Sequence, residues 1–258
     1  MSSLHWRVLV DPPLPGHANM ARDHALAQQL DASEGALRLY RWDPPTVSFG
    51  RNEPARGRYL EGLAREEGVG FVRRPTGGRA VLHDRELTYA LVFPQKAFGG
   101  LKRSYRLINQ GLLAGIRALG ATAELAAASG PSLPPDAGPC FRQPAEGEVT
   151  ALGRKLIGSA QVRIGGNVLQ HGSIILEGHQ DLLGRLGARE DVGVSPPASL
   201  RELLGFLPRL DVLSESIQSG LSAVLGGVWV ADGFREGEER AAEALEARYL
   251  DPAWTWRV

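Results

Sequence analysis

An α+β fold, with a mixed or antiparallel sheet packed against helices, is what this 258-residue sequence predicts. Short strand-like runs recur along the chain, amphipathic stretches stand among them, and the two do not alternate strictly as a parallel doubly wound sheet would require. With 43% apolar residues the chain can bury a large core. One main domain over residues 1–225 is expected, with residues 226–258 as a C-terminal helical extension packed on it.

Taken in order, Asn19 suits the N-cap of a helix running from Met20 to about Leu30. Leu37 and Leu39 alternate with Arg38 and Tyr40 as in a half-buried strand, and Val47 to Phe49 reads as a second strand. A polar helix near residues 60–67 leads to a strand at 71–73, a glycine loop and a strand-like run at 87–92. Ser104 can cap the next helix, whose Leu107, Ile108, Leu112, Leu113, Ile116 and Leu119 fall on one face before Gly120 stops it. Residues 129–139 are rich in Ser, Pro and Gly and read as a mobile loop that delivers Cys140. Strands over 155–164 and 168–176 form a hairpin whose Gly165, Gly166 and Asn167 tolerate positive φ. Beyond Asp181 the pattern is helical, with one helix marked by Leu213, Ile217, Leu221 and Val224 and another over 236–249. Trp229, Trp254 and Trp256 are expected to pack the last helix onto the core.

Composition narrows the function. The 29 basic residues balance the 29 acidic ones, which argues against a surface built for nucleic acid. A single cysteine forbids an intrachain disulfide, and no signal-like start or membrane-spanning run occurs, so a cytoplasmic enzyme without a membrane role is expected. Only Lys96, Lys102 and Lys155 among the basic residues are lysines. Lysine can shift its pKa and handle protons where arginine cannot, so a retained lysine is informative.

Four segments carry candidate chemistry. In the segment holding Arg73, Arg74, Thr76, Gly77, Gly78, Arg79, His83 and Asp84, adjacent glycines allow close backbone approach to a ligand and arginines supply fixed positive charge. An ordinary tight turn would look the same. The Lys155 segment places Gly158, Ser159, Ala160 and Gln161 where a buried strand would use Val and Ile, as does a solvated edge strand. Cys140 follows a Pro/Gly loop, where a structural cysteine is less expected, and a nucleophilic cysteine needs a nearby cation such as Lys155. His171 and Gly172 interrupt the second hairpin strand, with His171 either a hydrogen-bonded structural residue or part of a site. These groups show no zinc-type ligand spacing, and no metal is expected.

In this order the segments resemble the biotin/lipoate protein ligase superfamily, and within it the cysteine-dependent octanoyl-[acyl carrier protein]:protein octanoyltransferases. The resemblance runs from residues 19–23 through 37–42, 73–91, Cys140-Phe141, 153–163 and 169–176 to Arg248-Tyr249 and Trp254. It implies a sheet that holds an octanoyl or lipoyl chain in a narrow apolar tunnel. It also implies Cys140 as acyl nucleophile and Lys155 as the group that lowers its pKa. The remaining segment residues are assigned to substrate binding mainly on this resemblance. Octanoyl-acyl carrier protein is the implied donor, and a lipoyl domain or glycine-cleavage H protein the acceptor; a monomer is expected. Ala145 and Gly147 replace the Ser and Tyr common after the cysteine, and His24 stands where an acidic residue is usual.

The rival on the same fold is an ATP-dependent lipoate or octanoate ligase; a carrier-binding regulatory module is the non-enzymatic alternative. A thioester donor is already activated, so transfer needs no ATP or other cofactor. Cys140 has a task only in transfer, Arg79 stands where such ligases usually have a third glycine, and the length leaves no room for the additional C-terminal domain of many ligases. Between Arg51 and Arg106 there are 12 basic and 6 acidic residues. Arg56, Arg58, Lys102, Arg103 or Arg106 is therefore expected to steer an acidic carrier.

Overall fold

The structure is a computed structural model that describes residues 4–127, 146–178, 180–187 and 196–258. Its elements are β1 (His5–Val10), α1 (Gly16–Gln29), β2 (Glu34–Tyr40), β3 (Thr46–Phe49), α2 (Glu61–Glu66), β4 (Gly70–Arg73), β5 (Val81–His83), β6 (Glu86–Pro94), α3 (Leu101–Ala118), β7 (Glu124–Leu125), β8 (Val149–Ala151), β9 (Arg154–Lys155), β10 (Ile157–Ile164), β11 (Asn167–Ile175), α4 (Asp181–Leu186), α5 (Leu200–Leu204), α6 (Leu210–Leu225), β12 (Val228–Ala231), α7 (Glu236–Leu250) and α8 (Pro252–Thr255). The largest sheet runs β10-β11-β6-β2-β1-β12. Its β1 pairs are parallel and the others antiparallel, so the sheet is mixed. Two three-stranded sheets, β4-β3-β5 and β7-β8-β9, flank it.

Period-two alternation explains how the large sheet is covered on both faces. Leu37, Leu39, Leu87, Tyr89, Leu91 and Phe93 turn toward one face, where they pack with Ile108, Leu112 and Ile116 of α3 and Leu213, Ile217 and Leu221 of α6. Ala36, Tyr40, Ala90, Val92 and Leu169 turn the other way and meet Met20, Ala21, Leu26 and Ala27 of α1 with Tyr249 of α7. β2 is therefore buried on both faces rather than half-buried. Its Arg38 is fully enclosed because Asp11, Asp23 and Asn19 receive its guanidinium hydrogen bonds.

Two expected caps lie inside their helices. α1 begins three residues earlier than Asn19, which is buried and spends its amide on the carbonyls of Leu14 and Arg41. Ser104 bonds back to the Leu101 carbonyl within the first turn of α3. The hairpin turn falls at Gly165 and Gly166 as expected, with Ile164 opposite Asn167. The strand leading to it is broken at Leu156 into β9 and β10.

Residues 226–258 are not purely helical. β12 adds a parallel strand beside β1, a pairing invisible to local periodicity because β1 lies more than 200 positions away. The tryptophans pack as expected: Trp229 stacks on Trp6 at 4.6 Å, Trp254 donates to the Arg73 carbonyl, and Trp256 packs against Phe49 and Phe71.

Candidate functional site

A void of about 450 Å³, counting its opening to solvent, lies where α1, β2, the β4-β3-β5 sheet and the β10–β11 hairpin converge. Met20, Tyr40, Trp42 and Val81 supply apolar surface, while Ser48, His83, His171 and Ser173 place polar atoms along it. Gly158, Ser159, Ala160 and Gly172 form the wall contributed by the hairpin. That wall depends on close strand approach, since a Cβ at Gly172 would lie 2.2 Å from the Gly158 carbonyl oxygen.

The glycine loop is anchored through Arg74, which lines the cavity. Its guanidinium donates to the carbonyls of Gly77, Arg79 and Ser48 and to the Ser48 hydroxyl. Gly78 sits at φ +94° and its carbonyl lies so close to β3 that a Cβ at Gly50 would stand 1.8 Å from it. With the loop carbonyls drawn to Arg74, the Gly77 and Gly78 amides donate no hydrogen bond among the described residues. Such amides suit a developing oxyanion.

Each histidine of the cavity is held at both ring nitrogens. His171 Nδ1 lies 2.9 Å from Asp23 Oδ2, and its Nε2 lies 2.7 Å from Thr76 Oγ1. Burial favours the neutral imidazole and lowers the His171 pKa despite the Asp23 bond. Burial works to raise the Asp23 pKa, but the bond from His171 and the charge of Arg38 prevail and hold it below the ordinary carboxylate range. Tyr40 donates to the same carboxylate at 2.8 Å, and burial followed by the Asp23 charge pushes its phenol well above its usual value. His83 Nδ1 lies 2.8 Å from Glu86 and its Nε2 2.7 Å from Ser48 Oγ, with the ring stacked on Trp42 at 4.0 Å. A carboxylate on Nδ1 fixes the tautomer that leaves Nε2 as acceptor.

Lys155 is buried in β9, with Nζ 2.8 Å from Glu148 Oε1. It does not line the void itself. Tyr105 connects the two, its hydroxyl lying 3.4 Å from both Glu148 Oε1 and the carbonyl of Ser159. Ser159 Oγ lies 2.7 Å from the Tyr89 hydroxyl, whose pKa burial pushes well above its usual value.

Of the expected site residues, Arg74, Gly78, His83, Gly158, Ser159, Ala160, His171 and Gly172 line the cavity, and Thr76 stands directly behind His171. Gly77 and Arg79 contribute loop carbonyls to Arg74. Three residues fall elsewhere. Arg73 is fully buried behind the loop, clamping the carbonyls of Gly50, Glu53 and Thr255. The alternation of extended backbone explains this, because Arg73 ends β4 and Arg74, the next residue, turns the opposite way. Asp84 is exposed beside Arg85 and belongs to a different surface cleft. Gln161 points toward Gln170 and Ser104. Cys140, with the segment expected to deliver it, lies outside the described residues.

Sequence reasoning missed Asp23, Ser48, Glu86 and Glu148 as partners of the site. Asp23 had a legible signal, a carboxylate amid the apolar residues of α1. The others had none, since their partners come from other strands.

The lipoyl protein ligase A/B catalytic domain family matches residues 15–221. A protein of Kyrpidia tusciae named Octanoyltransferase LipM is 37% identical over 271 residues, covering 98% of each chain. Its namesake in Moorella thermoacetica is 36% identical over 269 residues, again covering 98% of each. A crystal structure of lipoate-protein ligase A bound with ATP superposes with a TM-score of 0.83 at 21% identity, covering 98% of this chain and 99% of the other. The bi-partite lipoate protein ligase of Thermoplasma acidophilum, studied with its E2 lipoyl domain, gives 0.79 at 22% identity, covering 98% and 96%. The two structures share this fold.

Proposed function

The chain belongs to the lipoyl protein ligase A/B catalytic domain family and is an octanoyltransferase of lipoate biosynthesis, and from that premise we propose that it takes octanoyl from acyl carrier protein onto Cys140 and passes it to a protein lysine. The acceptor is a lipoyl domain or glycine-cleavage H protein, and the reaction runs in the cytoplasm. Among the described residues no helix is long and apolar enough to cross a membrane. The observation that carries the reading is the apolar void beside a buried lysine in a chain related to octanoyltransferases over nearly its whole length.

In the first half-reaction the Cys140 thiolate attacks the thioester carbonyl carbon, the Gly77 and Gly78 amides receive the oxyanion, and the carrier's thiolate leaves and takes a proton from solvent. Lys155 stabilises the cysteine thiolate. In the second, the acceptor amine attacks the acyl-cysteine, loses a proton and forms the amide as the Cys140 thiol departs. No ATP enters, because the donor is activated before it arrives. Burying about seven methylene-like groups at roughly 0.8 kcal/mol each gives on the order of 5 kcal/mol for holding the tail.

Intact mass spectrometry after incubation with octanoyl-acyl carrier protein, without ATP, tests this reading. An octanoyl adduct on the wild type and not on Cys140→Ala, discharged by a lipoyl domain, is the expected result. Acceptor modification only with free octanoate and ATP would instead place the protein with the ligases that share its fold.

A further inference from the structure

We propose that an exposed basic groove at the start of α3 is the docking surface for the acidic carrier protein that presents the acyl thioester, an inference that rests on the thioester-transfer reading above. The groove lies between the first two turns of α3 and Gly147, and Lys102, Arg103, Tyr105 and Arg106 line it. Glu146 is its single acidic residue among those described. Lys102, Arg103 and Arg106 are exposed, and none forms an ion pair among the described residues. Arg7, Arg22, Arg38, Arg154 and Arg235, by contrast, are each paired with a carboxylate. Three exposed cations within five positions, none ion-paired among the described residues, in a chain with no net charge form a local field that attracts an acidic partner.

The groove also lies close to the candidate site. Tyr105, a wall of the groove, reaches Glu148 and the cavity-lining Ser159, and Glu148 holds Lys155. A carrier seated on these cations therefore has the catalytic lysine and the acyl cavity within a few side chains of its docking face. The structure also separates the basic residues that the sequence grouped together. Arg56 donates to the Trp256 carbonyl at the C-terminal segment, and neither it nor Arg58 belongs to the groove.

The test compares wild type with Lys102→Glu/Arg103→Glu/Arg106→Glu by single-turnover acylation, read by intact mass. Three donors are used: octanoyl-acyl carrier protein, octanoyl-4′-phosphopantetheine and the uncharged octanoyl-N-acetylcysteamine thioester. The triple variant is expected to lose roughly tenfold or more with the carrier protein and to keep its rate with both small donors. The charge-conserving Lys102→Arg/Arg103→Lys/Arg106→Lys variant keeps the carrier rate. An unchanged rate with the carrier overturns the proposal, as does an equal loss with all three donors. A loss with phosphopantetheine equal to that with the carrier overturns it too, because the groove then holds the arm's phosphate rather than the protein surface. Failure of the wild type to be acylated by any donor brings down the transfer reading itself, a result separate from an indifferent groove variant.

Discussion

The ammonium of Lys155 and the carboxylate of Glu148 form a 2.8 Å ion pair whose side chains are only 2% and 4% exposed. Antiparallel β8 and β9 create it, with Thr150 opposite Lys155 and Glu148 one residue before β8. The pair fixes the direction of the ammonium.

Removing one partner of a buried ion pair costs about 3–5 kcal/mol. Glu148→Gln is therefore expected to lower unfolding free energy by about 3 kcal/mol in urea and to slow acylation of Cys140 at least tenfold. Lys155→Arg is expected to slow acylation as well, because the planar guanidinium cannot reproduce the ammonium's geometry. Full acylation of either variant would separate the pair from catalysis.

Gly50→Ala offers a steric test of the glycine loop. Its Cβ would fall 1.8 Å from the Gly78 carbonyl oxygen, so β3 and the loop must move apart. A drop in acylation of roughly a hundredfold is expected if the Gly77 and Gly78 amides stabilise the oxyanion. Gly77→Ala, whose Cβ meets no atom within 4 Å, is the control. Equal rates for Gly50→Ala and wild type would remove the loop from the mechanism.

Acyl length should follow the volume at Met20. Its side chain is 1% exposed and lines the cavity, so Met20→Ala enlarges the void at a stability cost of about 2–5 kcal/mol. Competing hexanoyl, octanoyl, decanoyl and dodecanoyl donors, followed by mass analysis, should show the preferred chain lengthening by about two carbons. An unchanged octanoyl preference would mean that the tail lies elsewhere.

Stability is expected to fall in mild acid through His24. Burial first, then repulsion from Arg248 and Arg51, lowers its pKa to about 4 in the folded protein, against about 6.5 when unfolded. The unfolded chain thus takes up the proton first, and stability present above pH 6.5 is lost as pH falls toward 4, by on the order of 3 kcal/mol. His171, also depressed, acts in the same direction, and Asp23 adds a further loss below its unfolded value near 3.9. Urea unfolding at pH 7 and pH 4.5 should show a smaller difference for His24→Gln than for the wild type. The same slope in both would exonerate this imidazole.

The amino-acid sequence by itself determined the α+β class, the hairpin turn at Gly165 and Gly166, and the glycine loop. Composition also singled out Lys155, while His83 and His171 entered the candidate site mainly on the family resemblance. Tertiary structure alone decided what those residues touch. Asp23 and His171 meet across 148 positions, Thr76 and His171 across 95, and β12 finds β1 from the far end of the chain. The same distinction separated Arg73 from Arg74: neighbours in a cationic motif, they turn opposite ways, one bracing the C-terminal segment and the other shaping the loop. Local pattern records which face of an element is apolar. Only the packed fold brings a carboxylate from one segment against an imidazole or ammonium from another, because burial requires each charged or polar group to find a partner wherever the chain supplies it.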